Sequence, residues 1–283
     1  MQPQETKSLE DWVAFLSQAR IPVLKQTARD LTALHEDAEN ISARGVAQAI
    51  SRDPMMTVKL LRYLQHNKHS KQVHEVMEIE QALLMMGVEA FFRKLPPEPL
   101  MDEMLRGHMA ALVCLLRVVH RSHRASAYAL DWAVRLRDMH FEEVRIAALL
   151  HDLAEMLMWC FAPVEMLKIH AMQEQDRALR SYDAQEQVLG FSLDALQLAL
   201  AREWGLPQLL LTLMDGECAE QTRVRNVILA VNLARHSANG WDDAALPDDY
   251  MDIGELLGVE PENVMVMVGA EEGLICDIDQ PHP

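Results

Sequence analysis

Apolar side chains recur every three or four positions along most of this chain, which is typical of α-helices with one buried face. No stretch alternates apolar and polar residues as a half-buried strand does. The stretches predicted to be helical are Leu9–Gln18, one that follows Ser42, one that begins at Pro54, 79–88, 104–120, 125–136, 141–158, 193–204, one that begins at Pro207, 226–236 and Pro261–Val268. The pattern therefore predicts an all-α fold.

Side chains that can cap the first turn of a helix stand directly before four of these stretches: Ser8, Ser42, Asp53 and Ser192. Their oxygens can accept hydrogen bonds from the free N–H groups at a helix start. Pro54 suits the first helical position, because the N–H that it lacks would have no partner there. Gly205 follows the stretch 193–204 and can end it in the left-handed conformation. Helix boundaries are therefore predicted at these residues.

The segment Pro96-Pro97-Glu98-Pro99 interrupts the helical pattern more strongly than any other, because proline removes a backbone donor and restricts the residue before it. We predict an N-terminal helical subdomain over residues 1–100 that packs against a second helical bundle over residues 101–240. Residues 241–283 are predicted to form an acidic C-terminal tail with one or two helices, since they hold 12 acidic residues and no Lys or Arg.

The distribution of the formal net charge of −17 narrows the class of partner. No domain-sized surplus of Lys and Arg is present, which disfavours nucleic acid because phosphate binding needs such a surplus. The first residues lack the basic and apolar segments of a signal peptide, and no apolar run approaches the roughly 18 residues that cross a bilayer. We expect a cytoplasmic protein without a membrane partner.

The cysteines are scattered, without a C-x-x-C pair: Cys114, Cys160, Cys218 and Cys276. A disulfide framework or a cysteine-based zinc site needs closer and more regular spacing. We expect reduced thiols that pack as small apolar side chains.

The dipeptide His151-Asp152 lies in an apolar stretch that is predicted to be helical. It is similar to the dyad of HD-type phosphohydrolases, where a bound divalent metal activates water for attack on a phosphoester. His123, on an upstream helix, is the candidate for a further ligand. The helix expected to supply the last aspartate has Asn232 or Arg235 there, depending on the register. Asn is a poor substitute for a carboxylate, and Arg repels a cation.

Three arginines share one face of a predicted helix, because Arg117, Arg121 and Arg124 are spaced by four and three residues. Arginine suits bidentate contact with phosphate, so this face is a candidate anion or nucleotide site. The alternative is a solvated face whose arginines pair with nearby acidic residues.

Six segments in order resemble landmarks of the HDOD family, the HD-related output domains: 50–61 (I-x-x-D-P-x-L-x-x-x-L-L), Asn67, 81–87 (A-I-x-x-L-G), 148–154 (G-L-L-H-D-I-G, with Ala154 in place of the last glycine), 188–192 and 204–207. The resemblance runs from about residue 21 to residue 268. It implies that the bundle over residues 101–240 is HD-like, and that its relatives include the HD-GYP cyclic-dinucleotide phosphodiesterases.

The resemblance implies a non-catalytic bacterial signal-transduction or regulatory protein that acts through contacts with signalling proteins, without a cofactor. HDOD proteins generally lack the full metal set, and this chain departs further. Leu193 stands where a His is expected, residues 213–217 lack another, and there is no G-Y-P motif. The alternative is a metal-dependent HD-type phosphohydrolase acting on a nucleotide or phosphoester, with Fe, Mn or Zn bound by His123, His151 and Asp152. A small nucleotide ligand is compatible with either hypothesis.

Overall fold

A computed structural model of the chain describes residues 7–37, 41–67, 78–176, 178–215 and 220–270. Helices are its regular structure, and these residues form no strand beyond one isolated parallel bridge between Val23 and Leu100. The prediction of an all-α fold is therefore confirmed. No single helix in these ranges is long and apolar enough to cross a membrane, although the bent pair Phe141–Phe161 and Pro163–Gln175 has the required length and composition when taken together.

The helices, in chain order, are α1 Leu9–Gln18, α2 Lys25–Glu36, α3 Ala43–Ser51, α4 Pro54–His66, α5 Ile79–Met86, α6 Val88–Lys94, α7 Met101–Met104, α8 Met109–Arg135, α9 Phe141–Leu150, α10 Leu153–Phe161, α11 Pro163–Gln175, α12 Ser181–Leu189, α13 Leu193–Glu203, α14 Gln208–Leu213, α15 Thr222–His236, α16 Leu246–Leu257 and α17 Pro261–Val268. A 3-10 turn, Ser237–Asn239, follows α15.

The predicted caps form in the structure. The Ser8 hydroxyl accepts from the backbone N–H of Asp11, whose carboxylate accepts from the Ser8 N–H. The Ser42 and Ser192 hydroxyls accept from the backbone N–H groups of Gly45 and Ala195 and so cap α3 and α13. Gly205 takes φ of 60° just after α13. These residues set helix boundaries through their own side chains or backbone freedom, which is why the sequence shows them.

Predicted helix boundaries are wrong in three places. The stretches 104–120 and 125–136 are parts of one helix, α8, apart from the first residues, because α8 contains no glycine or proline that would interrupt it. The stretch 141–158 is two helices, α9 and α10, separated at His151 and Asp152. The predicted helix 79–88 also divides, at Gly87 with φ of 82°.

The chain comprises two compact units, each assembled from two stretches of sequence. The first unit holds residues 1–120 and 150–211, and the second holds residues 121–149 and 212–283. The predicted division at residues 100 and 240 partitions the chain differently and stays a prediction.

In the first unit, α3 packs against α2, α4 and α5, while α13 packs against α1 and α10. Residues of α4 and its N-cap form hydrogen bonds to three other segments of the first unit, at Leu24, at Pro96 and Glu98, and at Ala19. Asp53, fully buried at its start, accepts through Oδ2 from the Leu24 N–H at 2.8 Å, and through Oδ1 from the Met55 and Met56 N–H groups at 2.9 and 3.0 Å. Burial raises the pKa of the Asp53 carboxyl, and these hydrogen bonds oppose that rise.

Two cations on α4 hold neighbouring backbone carbonyls. Lys59 Nζ donates to the carbonyls of Pro96 and Glu98 at 2.7 and 2.9 Å. Arg62 reaches the Ala19 carbonyl with both terminal nitrogens at 3.5 Å. Its guanidinium also lies over the Trp204 ring, 5.4 Å from the ring centroid. Residues 50–61, which resemble the first of the HDOD landmarks, therefore help to hold the first unit together.

In the second unit, α16 packs against α15 and α17. The guanidinium of Arg225 on α15 binds the Glu255 carboxylate on α16. His236 Nδ1 lies 2.6 Å from an oxygen of Asp249, at the opposite end of α15. Part of the segment predicted as a tail therefore forms two helices that belong to this unit.

Of the four cysteines, Cys114 and Cys160 are free thiols, and the other two lie outside the described residues. Burial raises the pKa of both thiols, most strongly that of Cys160. A raised thiol pKa lowers the fraction of thiolate, which disfavours either cysteine as a nucleophile.

Candidate functional site

The His151-Asp152 dyad lies in the turn between α9 and α10, not on a helix as predicted. Asp152 occupies the N-cap position of α10 with φ of −97° and ψ of 24°, yet its side chain makes no capping hydrogen bond. Because a helix start leaves backbone N–H groups without intrahelical partners, another group must satisfy them.

The side chain of Gln197, on α13, spans this turn. Its Oε1 accepts from the Ala154 N–H at 2.7 Å, and its Nε2 donates to the Leu150 carbonyl at 2.8 Å. A carboxamide carries an acceptor and a donor on one group, so it can satisfy both ends of an interrupted helix. Gln197 is 6% exposed. It therefore replaces the hydrogen bonds that continuation of the helix would have made.

Sequence reasoning missed Gln197. It lies 43 residues from Ala154, and a glutamine on a predicted helix carries no signal of a distant backbone contact. The available hint was its position one turn after Leu193, on the same face of α13. The resemblance implies a His of the metal set at Leu193, and Gln197 lies on that same face of α13.

The two dyad side chains contact each other. His151 Nδ1 lies 3.3 Å from Asp152 Oδ1, with the two side chains 21% and 8% exposed. A carboxylate beside one ring nitrogen can orient an imidazole and select its tautomer. The structure thus brings together two of the three predicted metal donors, and their contact is with one another.

His123, the third predicted donor, lies on the part of α8 that belongs to the second unit, whereas the dyad belongs to the first unit. Across the residues that the structure describes, no group of three or more His, Cys, Asp or Glu side chains could hold a metal ion. Leu193 is buried at the start of α13 and offers no ligand atom. A catalytic zinc-type site uses three protein ligands and an open position, and the donors present do not fit one.

The arginine face is divided between structural and exposed positions. Arg124 donates to the Ser237 carbonyl and hydroxyl at 3.1 and 3.0 Å and to the Tyr128 hydroxyl at 2.9 Å. Its guanidinium also lies 5.5 Å from the Trp241 ring centroid. Arg124 is therefore used within the second unit. Arg117 is exposed in the first unit, and an anion site that includes it and Arg121 stays a prediction.

With this geometry described, comparison with known proteins gives a family. The sequence model of the HDOD domain matches residues 21–217, which is more than half of the chain. A comparison with curated protein sequences found no match.

Solved structures share the helical fold. The MmoQ response regulator from Methylococcus capsulatus str. Bath has a TM-score of 0.65 at 18% identity, covering 89% of this chain and 98% of that one. A virulence factor from Campylobacter jejuni subsp. jejuni has a TM-score of 0.64 at 17% identity, covering 91% and 95%. An HDOD domain protein from Geobacter sulfurreducens has a TM-score of 0.48 at 17% identity, covering 91% and 92%. At these identities, the first two similarities establish the fold alone.

Proposed function

Because the chain belongs to the HDOD domain family, we propose that it is a non-catalytic regulatory protein of bacterial signal transduction that acts through protein–protein contacts. The observation that carries this proposal is the turn at the dyad. Gln197 satisfies the interrupted backbone on both sides of His151 and Asp152. The turn is thus held by hydrogen bonds between neutral groups, and we expect its geometry to be the same without a bound ion.

The composition of the dyad's surroundings supports the same proposal. On α13, the face directed at the turn presents Leu193 and Gln197, and neither is a usual ligand for a hydrolytic metal. The expected last ligand is Asn232 or Arg235 on α15. An HD-type phosphohydrolase uses a metal that lowers the pKa of bound water, and this set of side chains is poorly suited to hold one.

One neighbour in fold agrees with a regulatory role. MmoQ is a response regulator, and the similarity extends over 98% of its chain. A regulatory protein without catalytic groups transmits a signal by binding other proteins. We therefore propose separate signalling proteins as partners.

Metal analysis combined with an activity assay tests the non-catalytic part of the proposal. The full chain is purified without chelator, its Fe, Mn and Zn content is measured, and hydrolysis of bis(4-nitrophenyl) phosphate is followed with each metal added. We expect substoichiometric metal and no hydrolysis above that of the His151→Ala variant. Stoichiometric metal that is lost in His151→Ala, together with hydrolysis by the wild type, would overturn the proposal.

Affinity purification with cross-linking from the native host tests the regulatory part. We expect the tagged chain to recover the same signalling proteins at constant stoichiometry, whether or not chelator is present. Recovery of the chain alone after cross-linking, from cells grown under varied conditions, would contradict a role through protein contacts.

A further inference from the structure

The turn between α8 and α9 presents an apolar surface that the second unit leaves uncovered. Met139 is 85% exposed, Val134 is 57% exposed and Phe141 is 38% exposed. We call residues 134–141 the knuckle. Large apolar side chains that cluster in one exposed turn mark a contact surface more often than isolated ones do.

The backbone of the knuckle is fixed. Arg137 takes φ of 55°, the left-handed conformation that a non-glycine residue adopts at a cost. Its N–H donates to the Val134 carbonyl at 3.0 Å. The Asp138 carboxylate accepts from the His140 N–H at 2.9 Å and from Arg223 Nε at 2.6 Å. These contacts on both sides of Arg137 hold the backbone of the turn in place.

The knuckle also carries one uncompensated positive charge. Arg135 pairs with Asp131 at 2.7 Å, but Arg137 is exposed and no carboxylate of the described residues forms an ion pair with it. The knuckle therefore combines the exposed Met139 with the Arg137 guanidinium, which has no ion-pair partner among the described residues.

The same unit holds a surface of complementary character. An open cleft of about 460 Å³ lies where α16 turns into α17. Its apolar lining comes from Met251, Val259 and Pro261, and its acidic lining comes from Glu255 and Glu260. We call it the α16–α17 cleft. The cleft is shallow and open to solvent, so an apolar side chain from another molecule can lie against its apolar lining.

One carboxylate of this cleft is free to bind a cation from outside. The Glu255 carboxylate binds Arg225, whereas Glu260 is exposed at the N-cap of α17 and pairs with no cation of the described residues. Residues 241–270 contain no Lys or Arg. The cleft therefore complements a surface that offers one cation beside an apolar side chain.

We infer that the chain self-associates, with the knuckle of one copy seated in the α16–α17 cleft of a second copy. Met139 enters the apolar part of the cleft, and Arg137 pairs with Glu260 of the other copy. Every copy carries both surfaces, and charge complementarity with a fixed knuckle makes a second copy the occupant. Because the contact joins two different surfaces, it either closes on itself or extends to larger assemblies.

Sedimentation equilibrium of the full chain, from low to high micromolar concentration, tests this inference. We expect concentration-dependent self-association that Arg137→Glu and Glu260→Lys each weaken about tenfold or more, since each places like charges opposite one another. The double variant Arg137→Glu/Glu260→Lys regains association because the pair is restored with reversed charges. A mixture of the two single variants also associates. Arg44→Glu, an exposed reversal on α3, is the control and leaves association unchanged.

Circular dichroism shows that each variant keeps the wild-type helix content, as expected for exposed side chains. A wild type that stays monomeric throughout contradicts the inference. Self-association that persists unchanged in both single variants, or that the double variant does not regain, contradicts it equally.

Discussion

Two helix starts in the first unit place an aspartate at the N-cap position and use it differently. At the start of α4, Asp53 accepts from the Met55 and Met56 N–H groups and caps its own helix. At the start of α10, the Asp152 carboxylate makes no capping bond and lies beside His151. There the Ala154 N–H is satisfied by Gln197, from another helix.

The difference shows that a residue at an N-cap position need not cap its helix. A side chain from another helix can accept the hydrogen bond from the first turn instead. A carboxylate meant for a metal must keep its lone pairs free of the backbone. At the start of α10 the Asp152 side chain makes no capping hydrogen bond, and Leu193, where the resemblance implies a His, carries no ligand atom. Under the proposed function, this turn has a structural role.

The largest predicted loss of stability comes from replacing Asp53, which caps α4. Asp53→Ala removes the acceptor of two N–H groups of α4 and of the Leu24 N–H, all in a buried place. We expect the free energy of unfolding to fall by about 3–5 kcal/mol, from a lost cap and unsatisfied buried donors. Urea unfolding measures it. Asp53→Asn keeps one acceptor oxygen and should lose less; equal stability of Asp53→Ala and the wild type would contradict the role of this tie.

The next largest loss of stability comes from replacing Gln197, which accepts from the Ala154 N–H at the start of α10. Gln197→Met keeps a similar volume but leaves the Ala154 N–H and the Leu150 carbonyl without partners. We expect a loss of about 2–4 kcal/mol in the free energy of unfolding, because two buried backbone groups are unsatisfied. Gln185→Met, whose side chain accepts only from the Leu193 N–H, is the matched control and should lose about half as much. A neutral Gln197→Met would show that the turn does not depend on Gln197.

A smaller effect is expected at the dyad itself. Asp152→Ala removes a buried carboxylate that contacts His151 but caps no helix. We expect thermal stability to fall with a loss of roughly 1–3 kcal/mol, since a buried polar partner is left unsatisfied. Differential scanning calorimetry, with and without chelator, checks this. The loss should be the same in both conditions, and a loss confined to chelator-free protein would indicate a bound ion.

A further effect depends on pH and concerns Lys59, whose ammonium donates to the carbonyls of Pro96 and Glu98. Burial lowers the pKa of Lys59 to about 8 from its ordinary value of 10.5. Below pH 8 both the folded and the unfolded chain keep the proton, so the cost of burying the charge is complete. Between these two pKa values the unfolded chain binds more protons than the folded chain, so stability rises with pH.

Comparison with Lys59→Met isolates this contribution. From pH 8 to pH 10, the free energy of unfolding of the wild type should rise relative to the variant by up to about 1.4 kcal/mol per pH unit. The exposed Lys25→Met variant should show no such difference. Parallel pH profiles of the wild type and Lys59→Met would rule out a buried, titrating Lys59.

The features that the sequence predicted correctly depend on a residue and its near neighbours in the chain. Ser8, Ser42, Asp53 and Ser192 cap the helices that follow them, and α17 has the predicted bounds, because caps and prolines act on neighbouring residues. The six-segment resemblance led to the correct family. These signals are local or rest on a pattern along the chain.

Features that the sequence did not reveal arise from tertiary contacts. The interruption between α9 and α10 lies in an apolar stretch without glycine or proline, and its stabilising partner, Gln197, comes from a different helix. Helix α8 is continuous, but the polar residues around Arg121 do not distinguish one long helix from two shorter ones in the sequence. Arg124 was marked as an anion ligand, but its partner Ser237 lies 113 residues away. Such pairings cannot be derived from spacing in one sequence.

The most direct test of the central claim is the melting temperature of the wild-type chain with and without EDTA, and after addition of Fe, Mn or Zn. If Gln197 and not an ion holds the turn at His151 and Asp152, the melting temperature is the same in all conditions. A bound ion stabilises the folded state by mass action, and its removal lowers the melting temperature. A clear drop in EDTA that one divalent metal restores, and that is absent in His151→Ala, would contradict the account.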